Sequence, residues 1–274
     1  MRSSGLVARA RGKVCRLLTA TLARRVVPIR SPIPMISFTF DDAPKSAFDV
    51  GRAILKDYGA HATYFVSLGL LGAETEVGRI GSAGDLARAV EAGSELGCHT
   101  FDHLDAWHTP LNAFMESVAR NREALHRVLP GATFTTFAYP KSGAKLSIKP
   151  ALGKIFACCR GGGQTANVHS VDLNLINACF LDRRTGVSPE FIRALVDYTA
   201  RECGWLIFAT HDVALDPSPF GCTPKFLKEI VEYASRSDAM LLPVGAACAK
   251  LVSSNSTQAS RDPSGEHNQS CARQ

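Results

Sequence analysis

Two adjacent carboxylates, Asp41 and Asp42, close the stretch Ser37-Phe38-Thr39-Phe40-Asp41-Asp42. Met35 to Phe40 is apolar or β-favouring and follows Pro34, which predicts a strand with the acid pair at its C-terminal tip. Neighbouring side chains on a strand point to opposite faces, so the two acids share one site only if the chain turns there. Ala43-Pro44 supplies the turn, because a residue before proline is pushed out of the right-handed helical region. Two carboxylates at one strand tip can then divide labour, one holding a metal ion while the other stays free as a base. In isolation such a pair reads as a helix cap or a solvated turn, and its weight comes from its partners.

The first partner is His99-Thr100-Phe101-Asp102-His103. Two histidines four apart lie on one face of a helical turn, which suits two ligands of one ion. With an acid from the first stretch they make a two-histidine, one-carboxylate set that leaves positions open for water and substrate, as a hydrolytic metal requires. Zn²⁺ is the first expectation, and Co²⁺, Ni²⁺ or Mn²⁺ suit the same ligand types. The second partner is His211, which ends the apolar run Ile207-Phe208-Ala209-Thr210. On its own it reads equally as a buried, hydrogen-bonded core histidine.

The elements that must position these groups alternate. A helix is expected from Ser46, with Val50, Ile54, Leu55 and Tyr58 on its apolar face and Gly59 as its stop, and Ala62 to Val66 reads as a strand. A helix over Ala83 to Ala92, a short strand over Glu95 to Cys98, and a long helix from Thr109-Pro110 to about Leu129 follow. Phe134 to Ala138 is a strand ending at Tyr139-Pro140, and Ile155 to Cys159 and Asn177 to Leu181 are further strand candidates. Pro189 to Arg201 and Pro224 to Ser235 read as helices, Trp205 to Thr210 and Met240 to Val244 as strands. Alternating strands and helices imply a parallel sheet with right-handed crossovers, and about seven such units suit an α/β fold of the (β/α) barrel type. The chemical residues all fall at strand C-termini, the face on which such barrels build sites.

The 274 residues, 46% apolar and 20% charged, are those of an ordinary globular chain. No apolar run approaches the ~18 residues of a transmembrane helix. Charge is uneven. Residues 1–30 hold eight basic side chains and no acid, so the net +6 of the whole chain leaves the remainder at −2. The body therefore gives no electrostatic reason to expect nucleic acid. The basic arm, residues 1–33, lacks the unbroken apolar core of a secretory signal. Its composition fits a transit peptide, an amphipathic segment contacting a membrane surface, or a short helix on the domain with its arginines in solvent. Every motif lies after Pro34, so the arm is expected to be dispensable for chemistry. From Ser253 to Gln274 almost nothing is apolar, which predicts a disordered tail after a catalytic domain over 34–252. Nine cysteines, an odd number with no Cys-x-x-Cys, read as reduced thiols and point to the cytoplasm.

Thr39-Phe40-Asp41-Asp42, His99 to His103 and the strand ending Thr210-His211-Asp212, in this order, resemble the polysaccharide deacetylases of carbohydrate esterase family four, over about Pro34 to Leu251. The resemblance implies a distorted (β/α) barrel, usually of seven strands, and an acetylated glycan substrate. It implies Asp41 as catalytic base, Asp42, His99 and His103 as metal ligands, and His211 as general acid. By the same resemblance Thr100 braces the second motif, and Tyr139-Pro140-Lys141 is the third, where the amide after the proline helps hold the oxyanion. The chain departs from the pattern in three places. Ala43-Pro44 replaces a frequent glycine, Ala138 stands where an arginine orients the base, and Lys141 stands where an aromatic is usual. An arginine from elsewhere, Arg183 or Arg184, is a candidate substitute, and Asp172 is a candidate acid for orienting a catalytic group. The expected activity is metal-dependent removal of N-acetyl groups from an N-acetylglucosamine-containing oligo- or polysaccharide. The alternatives are an O-acetyl glycan esterase, an amidohydrolase on a non-sugar amide and a non-catalytic carbohydrate-binding module. Intact Asp41 and His211 argue against the last.

Overall fold

The computed structural model describes residues 18–261, with side chains through 255. Its centre is a parallel sheet of β1 (Met35–Asp41), β2 (Thr63–Val66), β3 (Glu95–Cys98), β4 (Thr136–Ala138), β5 (Cys158–Arg160), β6 (Cys179–Phe180) and β7 (Trp205–Thr210). The order across the sheet is β6-β7-β1-β2-β3-β4-β5, and a short β8 (Met240–Leu241) pairs with the start of β1. This is the (β/α) barrel expected from the alternation, distorted as the family resemblance implies. Between β5 and β6 the wall is closed without a regular ladder. Instead residues 173–176 lie beside β5, with Cys159 donating to the Leu173 carbonyl, Ile176 to Cys159 and Gly161 to Ile176, each at 2.8 Å.

Both faces of the sheet are buried, so the strands read as continuous apolar runs rather than alternating ones. Alternation still sorts their side chains. Ile36, Phe38 and Phe40 pack with Tyr64, Phe137 and Phe208 in the layer beneath the helices. Met35, Phe65, Ala138, Cys158, Trp205 and Ile207 form the inner cluster. Asp41, His99, Arg160 and His211 fall in the inward register of their strands, so the pleat alone sends all four toward the barrel's C-terminal mouth.

The outer layer comprises α1 (Arg52–Lys56), α2 (Ala83–Glu91), α3 (Leu111–Val128), α4 (Lys149–Gly153), α5 (Pro189–Arg201), α6 (Pro224–Arg236) and α7 (Val244–Arg261). α5 and α6 open as their sequences dictate. Ser188 and Thr223 accept from the amides of Phe191 and Phe226, with proline in the first turn of each. Ser46 does not cap. A π-helical turn over Ala47–Gly51 precedes α1, and the Ser46 hydroxyl instead accepts from the Val213 amide at 3.1 Å, tying this turn to the segment after β7. α7 begins under the closed end of the barrel. There Glu95 accepts from Thr63 and Thr136 hydroxyls at 2.7 Å and from the Gly245 amide at 2.8 Å, placing a carboxylate at a helix N-terminus. α7 continues through Arg261, into the segment expected to lack structure, and the rest of that tail lies outside the described residues. Among the described cysteines only Cys203 is not buried, and all are free thiols. No helix among the described residues is long and apolar enough to cross a membrane.

Most of the basic arm lies outside the described residues, but its end is built into the domain. Arg25 donates to the carbonyls of Gly153, Phe156 and Ala157 at 2.6–3.0 Å, and its amide donates to Asp172 at 2.8 Å. Lys149, wholly buried, pairs with Asp172 at 2.7 Å and donates to the carbonyls of Thr19 and Leu22. Val26–Pro28 pairs antiparallel with Ser170–Asp172. Arg25 therefore does not sit free in solvent, while Arg24 stays exposed at the surface; a buried ammonium and several buried carbonyls require partners that this segment supplies. A chain beginning at Ser31 is expected to unfold with a stability loss of about 2 kcal/mol or more, since hydrogen bonds to charged groups contribute about 1.5–3 kcal/mol each. Denaturant unfolding of the full and shortened chains checks this.

Candidate metal-hydrolase site

The acid pair converges because the chain turns left-handed at its tip. Asp41 completes β1, and then Asp42 (φ 60°) and Ala43 (φ 54°) both leave the ordinary region. Such conformations are costly for non-glycine residues and persist where the surroundings over-determine them. Here the Ala43 carbonyl accepts from the Gly81 amide at 3.0 Å. A Cβ at Gly81 would lie 2.5 Å from the Phe48 ring, so only glycine allows that approach.

The histidine pair reaches the same point by a different route from the helical turn its spacing suggested. His99 directly follows β3, and the chain then bends through Thr100 (φ 60°) to His103 (φ 52°) without helix. Thr100 Oγ1 accepts from the Leu104 amide at 2.9 Å, which braces the bend. Ser117 on α3 accepts from the amides of Phe101 and Asp102 and donates to the Asp102 carboxylate. Asn121, one turn further along α3, donates to Val66 O at 2.8 Å and accepts from Leu68 N at 2.9 Å.

His103 Nε2 lies 3.3 Å and His99 Nε2 3.7 Å from Asp42 Oδ1. One ligating atom from each of the three residues falls within 4.8 Å of the other two. His99 Nδ1 lies 2.8 Å from the Ala138 carbonyl, which assigns it the proton and leaves the Nε2 lone pair facing Asp42. Burial pushes His99 down to about 3 and lowers His103 as well, so both imidazoles are neutral near pH 7. Burial raises Asp42 to about 6. Its Oδ1 is buried without a hydrogen-bond donor. Three lone-pair donors facing one another with no proton between them fit a divalent cation.

Asp41 is handled in the opposite way. Burial would raise its carboxyl, but the Arg160 guanidinium, with His99 and His211, overcomes that and holds it below the usual carboxylate range. Arg160 Nη2 donates directly to Asp41 Oδ1, and Arg160 is itself fully buried. Its Nη1 donates to the Gly161 carbonyl at 3.0 Å, and its guanidinium lies over Phe65 and Phe180 at 5.1 and 5.2 Å. The arginine at Asp41 thus comes from β5. Neither Arg183 nor Arg184 reaches it. Arg183 is exposed and faces Asp216 and the Pro217 carbonyl, while Arg184 pairs with Asp182 at 2.6 Å. Arg160 was legible only as an arginine two residues beyond Cys158, in inward register on an apolar strand.

His211 follows β7, its Nδ1 3.1 Å from the Phe220 carbonyl. The loop between them is drawn in by Asp212, which accepts from the Ser218 amide and hydroxyl. A Cβ at Gly221 would lie 2.3 Å from Asp212 Oδ1, so this closure needs glycine. Asp41, Asp42, His99, His103, His211 and Lys141 share one cavity of about 490 Å³. Lys141 takes a left-handed conformation (φ 56°) after the buried Pro140. The Tyr139 side chain turns away into the core, where its hydroxyl donates to Asn174 O at 3.1 Å. Asp172 is not brought to this cavity, being held by Lys149 and Arg25.

Replacing Arg160 with Met leaves the Asp41 carboxylate buried without its counter-ion. Breaking a buried pair in this way costs about 3–5 kcal/mol at neutral pH. In the native protein the depressed Asp41 stabilises the fold above the ordinary carboxylate range, and that contribution is lost as pH falls through the depressed value. In Arg160→Met the slope inverts, because protonation now removes an unpaired buried charge. Unfolding midpoints at about pH 5 and pH 7 are expected to show the variant's deficit shrinking at the lower pH.

Residues 29–154 match the family model described as polysaccharide deacetylase. No curated protein matches the chain. Solved structures share the fold. The peptidoglycan deacetylase PdaC from Bacillus subtilis is 16% identical, with a TM-score of 0.56 over 85% of this chain and 98% of that one. A family 4 acetyl xylan esterase from Clostridium thermocellum, solved with a cobalt ion, is 20% identical, with a TM-score of 0.55 over 81% and 92%. The Xyl-CE4 domain of a multidomain xylanase from the hindgut metagenome of Trinervitermes trinervoides is 19% identical, with a TM-score of 0.54 over 82% and 92%.

Proposed function

We propose that this chain, whose residues 29–154 match the polysaccharide deacetylase family model, is a metal-dependent hydrolase that removes N-acetyl groups from an N-acetylglucosamine-containing oligo- or polysaccharide. The observation that carries the reading is the division of the acid pair. Asp42 faces two neutral imidazoles without a donor, while its neighbour Asp41 is kept ionised by Arg160.

Asp42, His99 and His103 would hold the ion, Zn²⁺ first, with Co²⁺, Ni²⁺ or Mn²⁺ as alternatives. Bound there, it would act as a Lewis acid on the acetyl carbonyl and make water a usable nucleophile near neutral pH. Asp41 accepts the proton of the attacking water, a role open to a carboxylate already ionised and fixed by one arginine. The turn at Lys141 presents backbone to the developing oxyanion. His211, with Nδ1 directed to the Phe220 carbonyl, has Nε2 left to protonate the departing amine. The products are acetate and a free amino sugar.

The test is acetate release by metal-loaded enzyme from N-acetylated chitooligosaccharides beside an O-acetylated xylan. Release from the first and not the second supports the reading, and the reverse makes the enzyme an esterase. Asp41→Asn is expected to keep its metal and lose about 10²–10⁴-fold in rate, as for removal of a general base. Asp42→Asn and His103→Ala are expected to lose metal on dialysis, with Asp42→Asn partly restored by excess metal. Elemental analysis of each variant checks the assignment. An Asp41→Asn enzyme active at the wild-type rate sinks the mechanism.

A further inference from the structure

The charges that this chemistry leaves unused lie on the wall of the same cavity. Lys141 lines it from the turn after β4, and Arg184 from the segment after β6. Lys141 is exposed and belongs to none of the ion pairs among the described residues. Asp105, whose carboxyl Lys141 helps to lower, is already engaged by His108 and by the Trp107 amide, each at 2.8 Å. Its position is not loose. Lys141 and Ser142 are both left-handed at φ 56°, and a Cβ on the next residue, Gly143, would lie 2.7 Å from Trp107. Arg184 is fixed twice, by Asp182 Oδ2 at 2.6 Å and by stacking 4.0 Å over the Phe220 ring. One of its donors is used in this way, and the side chain is half exposed. Outside the acid pair, the wall carries these two cations and a single carboxylate, Glu76. Leu70, Val77, Phe180 and Phe220 supply its apolar surface, beside the hydroxyls of Thr75 and Ser142.

We propose that the glycan accepted here carries an anionic group, a carboxylate or a phosphate, on or beside the sugar that is deacetylated, and that Lys141 and Arg184 are the specificity-determining contacts for it. The inference rests on the deacetylase reading. A lysine ammonium and a guanidinium are the side chains that bind oxyanions by charge-assisted hydrogen bonds. A neutral glycan filling the same space would cover Lys141 without a partner and leave Arg184 with Asp182 alone, and sites of that kind reject the analogue that lacks the matching group.

The experiment compares two substrate pairs with the full-length, Zn²⁺-loaded enzyme. One is an N-acetylglucosamine–glucuronic acid oligosaccharide and its carboxyl methyl ester. The other is N-acetylglucosamine 6-phosphate and N-acetylglucosamine. The charged member of one pair is expected to show at least about tenfold higher kcat/KM, falling as salt rises from about 20 to about 500 mM, and the pair that responds distinguishes carboxylate from phosphate. Lys141→Gln and Arg184→Gln are each expected to cut the charged-to-neutral ratio about fivefold, chiefly through KM. Equal rates within both pairs, or a ratio that neither variant changes, overturn the inference while leaving the deacetylase reading in place. If no substrate releases acetate, the deacetylase reading falls instead. Calorimetric binding of the same pairs to Asp41→Asn then decides the anion preference by itself, and equal affinity within both pairs overturns it.

Discussion

The contact between Arg160 and Asp41 sets the terms for everything around it. A carboxylate this deeply buried would ordinarily take up a proton, since desolvation penalises its charged form. The guanidinium reverses that outcome, and Arg160 itself is wholly buried. The pair is therefore expensive to form and more expensive to break, which makes it a poor device for stability and a good one for holding a base ionised. The aromatic faces of Phe65 and Phe180 over the guanidinium complete the enclosure.

Against that fixed charge, Asp42 is tuned by the absence of a partner. One residue further along the chain, it turns away from Arg160 through a left-handed kink and meets two neutral imidazoles. Two chemically identical side chains thereby acquire opposite tendencies, one held below the usual range and the other raised to about 6. Environments that push paired titratable groups apart are how a protein assigns an acid, a base and a ligand from one residue type. The strain of consecutive left-handed residues at 42–43, with more at Thr100, His103 and Lys141, gathers at this mouth of the barrel.

The opposite end of the barrel is built for cohesion. Glu95 gathers strand hydroxyls and the first turn of α7, and Lys149 with Asp172 binds the end of the N-terminal arm. Both arrangements pair buried charges and serve no cavity. The separation follows from the parallel sheet, in which all strand C-termini emerge on one side and loops there can vary without disturbing the other.

The sequence by itself determined the alternation of strands and helices, the barrel, and the placement of Asp41, Asp42, His99, His103 and His211 at strand ends. Those features depend on local periodicity and on residue type, both of which survive in a one-dimensional string. It also placed the helices with paired cap and proline signals, Pro189–Arg201 and Pro224–Arg236, to within a residue. What it could not determine was pairing across the barrel. The arginine that serves Asp41 lies 119 positions away on β5, and nothing local distinguishes it from Arg183 or Arg184 until the strands close. The route from His99 to His103 was likewise decided by tertiary contacts, because a spacing of four fits a helical turn and a braced loop equally. The end of the basic arm looked detachable for the same reason. Arg25 finds its carbonyls on segments more than a hundred residues distant, and only folding brings those together.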